Sequence, residues 1–157
     1  MQFTLHQIGA VHCGADGFSV VIEPEYRAAL QGLAGFSYVQ ILWWFDRCDS
    51  PAQRAVLACK KPYTNGPETM GVFATRSPQR PNPIAVSPAY VTHIDMESGV
   101  IGLAWIDAME GTPMIDIKPY TPSVDRVEHP TVPDWCAHWP KCVEESGDFN
   151  LESEFNF

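Results

Sequence analysis

The fold this sequence predicts is mainly β: a single-domain β-barrel with two or three short helices. Three observations predict it. Short runs rich in β-branched and aromatic residues recur along the chain between Gly, Pro, Asn and Asp turn signals, as in barrels rather than alternating strand–helix folds. The helical patterns between them are brief. The chain has 157 residues, 45% hydrophobic and 18% charged. That is the size of one domain, which buries roughly 68–70% of its unfolded surface and needs no staples for its core.

The elements follow in order. Phe3 to His12 alternates loosely and predicts a first strand, and after the turn "CGADG" the run Phe18 to Ile22 predicts a second. "EPEYRAALQGL" has a proline for the first helical turn and Tyr26, Ala29, Leu30 and Leu33 at helical spacing, so a short amphipathic helix is expected. "GFSYVQILWWFD" lacks clean alternation, which predicts a central strand buried on both faces. Ser50 as cap and Pro51 at the first helical position predict a second helix. After the loop "KPYTNGPETM", the runs "MGVFAT" and "PIAVSPAYVTHID" are expected strands. "VIGLAWID" and "PMIDIKPY" are two more, around the turn "AMEGTP". Residues 1–142 are expected to form the barrel. Residues 143–157 are expected to form an acidic tail or a docked arm, with Glu144, Glu145, Asp148, Glu152 and Glu154 and no basic residue.

Charge and cysteine usage narrow the function. Without those five carboxylates the formal net charge of −9 falls to −4. An acidic body excludes broad non-specific nucleic-acid binding, because Lys and Arg at phosphates supply that affinity. Any anion site must be local, near Lys60, Lys61, Arg76, Arg80 and Lys118. Five cysteines are an odd number, and no basic start precedes an apolar run and a small-residue cleavage site. The expected location is therefore the cytoplasm, with reduced thiols. The apolar-rich stretch Val39 to Phe45, interrupted by Gln40, is far too short to span a bilayer.

The stretch "GVFATRSPQRPNPIAVS", Gly71 to Ser87, is the most unusual. Pro78, Pro81 and Pro83 fix φ and push their predecessors toward extended conformations, so Arg76, Arg80 and Asn82 are displayed with little entropy left to lose on binding. Guanidinium groups bind carboxylate or phosphate in a fork. The competing reading is a surface loop whose arginines pair with the protein's own carboxylates. In "DAMEGTPMIDIKPY", Asp116 and Lys118 are two apart on an expected strand and hence on one face. They form either a poised acid and base or a neutralised pair. Cys136, His138 and Cys142 lack the tight C-x-x-C spacing of zinc sites, so no metal is expected. No G-x-G-x-x-G opens a helix after a strand, so a Rossmann nucleotide site is not supported.

Together, "GVFATRSPQRPNPIAVS" and "DAMEGTPMIDIKPYTP" closely resemble the TsaA-like (TrmO) family. Its pattern runs approximately G-V-F-A-T-R-S-x-x-R-P-N-P-I-G-L-S and later D-x-x-D-G-T-P-v-x-D-I-K-P-Y. "QIGAVH" and "LQGLAGFSYVQILWWF" are similar to the family's opening segments, so the resemblance extends to about Asp125. It implies a homodimeric β-barrel that binds S-adenosylmethionine without a Rossmann domain. It further implies methyl transfer to N6 of threonylcarbamoyladenosine beside the tRNA anticodon. Carried over by position, it puts Asp46, Arg47, Arg76, Val86, Ala104, Trp105, Ile106 and Asp107 at the donor.

The acceptor N6 is urea-like and attacks well only if its proton leaves, which calls for a carboxylate base. Asp116 and Asp107 are the candidates. Lys118 or Arg80 would hold the threonyl carboxylate or a phosphate, with Asn82 and Tyr120 beside the substrate. Three departures stand out: "CGADG" where longer members have a loop with P-R-Q, Asp46 where His is common, and Glu110 where the family has Asp. Two other readings are a methyltransferase with a small-molecule acceptor and a non-catalytic donor-binding module. Convergence of Lys60, Lys61, Arg80 and Lys118 on one face would favour tRNA over a small molecule.

Overall fold

The computed structural model describes residues 2–156. Its strands are β1 (Gly9–Gly14), β2 (Gly17–Ile22), β3 (Tyr38–Trp44), β4 (Ala58–Lys60), β5 (Thr69–Gly71), β6 (Ile84–Asp95), β7 (Val100–Leu103) and β8 (Pro113–Pro119). Six of them close into an antiparallel barrel in the order β1-β2-β7-β6-β3-β8, while β4 and β5 form a separate two-stranded sheet. The barrel is small enough for side chains to fill. Val11, Val20, Val39, Ile41, Ile101 and Met114 are fully buried inside it, and each such side chain is worth about 1.5–3 kcal/mol. Gly9 is required where β1 meets β2, because a Cβ there would lie 2.3 Å from the Val21 carbonyl oxygen.

The expected class is therefore found, with differences in particular elements. The first strand begins at Gly9 rather than Phe3: Ile8 bonds Met114, but residues 2–8 belong to no strand. The expected helix at Glu23–Leu33 is a 3-10 turn, Pro24–Leu30, that buries Leu30. Tyr26 and Leu33 pack against the core as their spacing required. The expected second helix is the short α1 (Pro51–Arg54), closed by reciprocal Ser50 and Gln53 bonds. A second such helix, α2 (Pro122–Asp125), follows β8. "MGVFAT" yields only β5 and a 3-10 turn, Val72–Ala74.

The strand expected to be buried on both faces, β3, alternates instead. Val39, Ile41 and Trp43 point into the barrel, while Tyr38, Gln40, Leu42 and Trp44 are half-buried outside. Distant chain reaches those outer residues: Gln40 Nε2 donates to Asp125 at 3.3 Å.

The acidic segment folds back onto residues 61–66. Phe155 pairs with Tyr63 as an isolated bridge, and Tyr63, Trp135, Trp139 and Phe155 form a second aromatic cluster. Glu154, buried, accepts from His138 Nε2 at 2.9 Å and Trp139 Nε1 at 3.2 Å. The His138 bond holds its carboxyl below the usual glutamate range against the opposing effect of burial, helped by Trp139 and Asn65. A depressed folded value means the docking is complete above the ordinary glutamate range and weakens as pH falls through that value. A red shift of tryptophan emission is expected as pH falls below the ordinary glutamate range, with the barrel's circular dichroism retained. Glu154→Gln should abolish the step, and a step unchanged in that variant would assign it to another carboxylate.

Candidate active site

Two segments far apart in sequence meet at one end of the barrel. Asp46 and Arg47 follow β3, whose end is tied to the arginine loop by Phe45 N–H donating to Pro83 O at 2.8 Å. The loop 104–112 follows β7, anchored by Ala104 N–H to Tyr90 O at 3.0 Å and by Val11 N–H to Thr112 O at 2.9 Å. Ile106 is buried and joins the core, while Trp105 is 59% exposed. Gly111 has φ +78°, which the turn into β8 demands. Arg47 Nη1 approaches Met109 Sδ at 2.8 Å, joining the Asp46–Arg47 pair to this loop.

The departure at Glu110 has a structural partner. Its carboxylate accepts from Cys13 N–H at 2.6 Å and pairs with His12 Nδ1 at 2.9 Å, fastening the loop to the end of β1. Cys13 Sγ adds a bond to Ala108 O at 3.2 Å. Burial, then Glu110, pushes that thiol's pKa up.

The arginine loop uses its two arginines in opposite ways. Arg80 turns inward: Nε donates to Ser77 O at 2.9 Å, and Nη2 to Val72 O at 2.9 Å and Thr75 O at 2.6 Å. Arg76 is exposed, and among the described residues its one side-chain bond runs from Nη1 to Val86 O at 3.3 Å on β6. Neither forms an ion pair among the described residues, so the reading in which they neutralise the protein's own carboxylates is not what is found. The equal display expected for Arg76 and Arg80 is corrected too, since three backbone carbonyls hold Arg80 within its own loop.

The remaining candidates lie elsewhere. Asp116 and Lys118 share the outer face of β8 opposite Leu42 and Gln40, as their spacing required. Lys118 Nζ sits 2.6 Å from Asp116 Oδ2. Asp116 lines a hollow of about 350 Å³ with Leu30, Leu33 and Phe36, whereas Asp107 lies in the loop at the barrel mouth, outside that lining. Tyr120 N–H bonds Tyr38 O at 3.0 Å. Of the four basic residues, Lys60 and Lys61 belong to the β4 hairpin, Lys118 pairs with Asp116 and Arg80 is bonded within its own loop.

Asn82 lines an open cleft of about 710 Å³ with Trp44, Arg54, Ile84 and Pro113. There Arg54 lies over the Trp44 ring at 5.3 Å, and Asp49 accepts from both side chains. Arg54, then Trp44, holds the Asp49 carboxyl below its usual range. The reading of the sequence missed this cleft, whose members are spread from residue 2 to residue 115.

A closed barrel with an Asp–Arg pair and an apolar loop at its mouth, and an exposed arginine on a stiffened loop beside it, defines a small ligand-binding barrel of non-Rossmann type. Residues 9–126 match the tRNA-methyltransferase O N-terminal domain, and the chain belongs to that family. It is 33% identical over 141 residues to a probable S-adenosyl-L-methionine-binding protein of Archaeoglobus fulgidus, covering 81% of this chain and 36% of that one. It is 38% identical over 146 residues to the tRNA (adenine(37)-N6)-methyltransferase of Escherichia coli K12, covering 89% and 59%. The crystal structure of TrmO from Pseudomonas aeruginosa superposes with a TM-score of 0.64 at 26% identity, over 83% of this chain and 62% of that one. The chain thus spans about one to two thirds of the length of these relatives.

Proposed function

We propose that this chain is an S-adenosylmethionine-dependent methyltransferase acting on N6 of threonylcarbamoyladenosine in tRNA. The observation that carries the reading is Arg76, a permanent charge on a stiffened loop with a single carbonyl partner. The family and the activities named for its relatives support it.

The residues present fit the donor by chemistry. Arg76 suits its carboxylate, Asp46 or Asp107 its ammonium, and Val86, Ala104, Trp105 and Ile106 its apolar surface, with Arg47 holding the loop through Met109. When bound, the donor supplies an electrophilic methyl on a sulfonium. Transfer of that methyl to N6 would leave the bonding pair on the donor's sulfur, and the proton displaced from N6 would pass to a carboxylate of this chain. Of the two candidate bases we assign this role to Asp107, which shares the loop with the donor residues, because Asp116 already holds Lys118 and the Ile117 N–H. Asn82, in the cleft beside Trp44, remains for the acceptor, while Lys118 is held by Asp116 and Tyr120 lies at the Tyr38 end of β3; holding the two reactants in line supplies most of the acceleration.

Labelled methyl should pass from S-adenosylmethionine to purified tRNA bearing threonylcarbamoyladenosine, and Asp107→Asn should slow transfer about 10²-fold or more. A second reading, a small-molecule acceptor of the same transfer, is favoured by the net charge of −9 and by the engagement of Lys118 and Arg80 within the protein. It would be established by labelling in a metabolite extract and none in tRNA.

The cytoplasm suits the chain's five free thiols, and no helix among the described residues is long and apolar enough to cross a membrane. A homodimer with its interface near the donor site also belongs to this proposal. Val86, Tyr90 and Trp105 are exposed apolar groups there. Sedimentation at micromolar concentration should show twice 17.5 kDa, and a monomer that still binds the donor would refute the dimer.

A further inference from the structure

The cleft of about 710 Å³ beside Trp44 is built around one fixed cation. Its floor is the outer face of three neighbouring strands: Trp44 of β3 is paired with Ile84 of β6, and β8 adds Pro113 and Ile115. Those two flank the buried Met114, so alternation puts them on the outside of the barrel. Phe3, Leu5 and His6 come from the N-terminal residues. Among the described residues of the lining Arg54 is the one permanent charge, and none is acidic.

The protein itself holds Arg54 in place. Nε donates to Asp49 Oδ1, the guanidinium lies over the Trp44 ring at 5.3 Å, and Asp49 Oδ2 accepts from Trp44 Nε1 at 3.0 Å. Cation, ring and carboxylate thus fix one another, with Asp49 outside the cleft lining. Nη1 and Nη2 have no partner among the described residues, and the side chain is 40% exposed. A fork of N–H groups is left for an anion, already oriented and with little freedom to lose. Asn82 adds an amide, which both donates and accepts.

The cleft adjoins each segment assigned to the donor. Trp44 leads through Phe45 to Asp46, Asn82 lies on the arginine loop with Arg76, and Pro113 follows the loop 104–112. We propose that this cleft takes the threonylcarbamoyl arm of the acceptor and that Arg54 binds its carboxylate, the role expected for Lys118 or Arg80, which are both engaged elsewhere. This rests on the tRNA reading of the acceptor. The arm offers one carboxylate to the fork, urea and hydroxyl groups to Asn82, and a methyl group to the apolar floor. The other anion of such a substrate is a backbone phosphate. A phosphate track is neutralised by several cations, and this cleft supplies one.

The test uses the full chain, tRNA bearing threonylcarbamoyladenosine and the same tRNA transcribed without modification. Arg54→Ala should lower kcat/KM for methyl transfer about 10- to 150-fold, mainly by raising KM. It should leave S-adenosylmethionine affinity unchanged and remove the parent's preference for modified over unmodified tRNA. Arg54→Lys should recover part of the loss, since an ammonium keeps the charge without the fork. The melting temperature should hardly move, because the Asp49 pair is partly exposed. The proposal is overturned if kcat/KM is unchanged, if donor affinity falls as far as transfer does, or if both tRNAs lose affinity equally, which would assign Arg54 to a phosphate. A parent that methylates no tRNA would sink the tRNA reading on its own. Titration with the free nucleoside, read at the Trp44 indole N–H resonance, then decides the cleft. A shift with threonylcarbamoyladenosine that adenosine does not give and Arg54→Ala abolishes upholds the assignment, and no shift overturns it.

Discussion

Replacing Arg76 with alanine is expected to weaken S-adenosylmethionine binding by about 1.5–3 kcal/mol, or about 10- to 150-fold in Kd, while leaving the melting temperature nearly unchanged. The two effects separate because Arg76 is exposed and contributes one long bond, 3.3 Å to Val86 O, to the fold. The rest of its fork is free to meet a carboxylate. Arg76→Lys should recover part of the affinity, since an ammonium keeps the charge and loses the paired geometry. Calorimetry on the folded variant decides it. Unchanged affinity would remove Arg76 from the donor site and with it the observation on which the proposed activity leans hardest.

What the sequence made legible follows from where the ordering forces are local. The Ser50–Pro51 cap and the shared face of Asp116 and Lys118 depend on near neighbours, and both are found. The outer face of β3 was expected to be buried and is only half-buried, because the chain that reaches it, such as Asp125 at Gln40, comes 85 residues later and its partial coverage cannot be read from the strand's own composition. The C-terminal segment shows its five carboxylates in composition. Its structure, however, is set by Trp135, Trp139 and Phe155, which find Tyr63 only in three dimensions.

The candidate site divides along the same line. Family motifs led to Asp46, Arg47 and the 104–107 loop, and the fold brings those two segments together through Arg47 and Met109. Glu110, noted only as a departure, proves to fasten that loop to β1 through His12 and Cys13. Side-chain direction within the arginine loop was not readable, because prolines fix the backbone and leave a guanidinium free to turn either way.

Arg80 gives the larger effect on the fold. Its three bonds end on the carbonyls of Val72, Thr75 and Ser77, which follow β5 in the 3-10 turn and the bend leading to β6. Thr75 is buried, so removing the guanidinium strands its carbonyl oxygen where water reaches it poorly, while Val72 O keeps the Thr75 N–H and hydroxyl. A hydrogen bond to a charged donor is worth about 1.5–3 kcal/mol, and an orphaned buried acceptor costs about 1–3. Because the three bonds share one side chain their contributions do not add, and Arg80→Ala should lose about 3 kcal/mol of stability overall. That is on the order of 6–12 °C in melting temperature for a domain of this size. The donor site should fail with it, since the same bonds shape the loop that presents Arg76. Arg80→Lys cannot serve three divergent carbonyls from one nitrogen and should recover less than half. The decisive measurement is urea unfolding of Arg76→Ala and Arg80→Ala side by side: a stability loss in the second and none in the first assigns one arginine to the ligand and the other to the loop. Equal midpoints would mean that the Arg80 bonds contribute nothing to holding the loop, and Arg80 would return to the residues available for the acceptor.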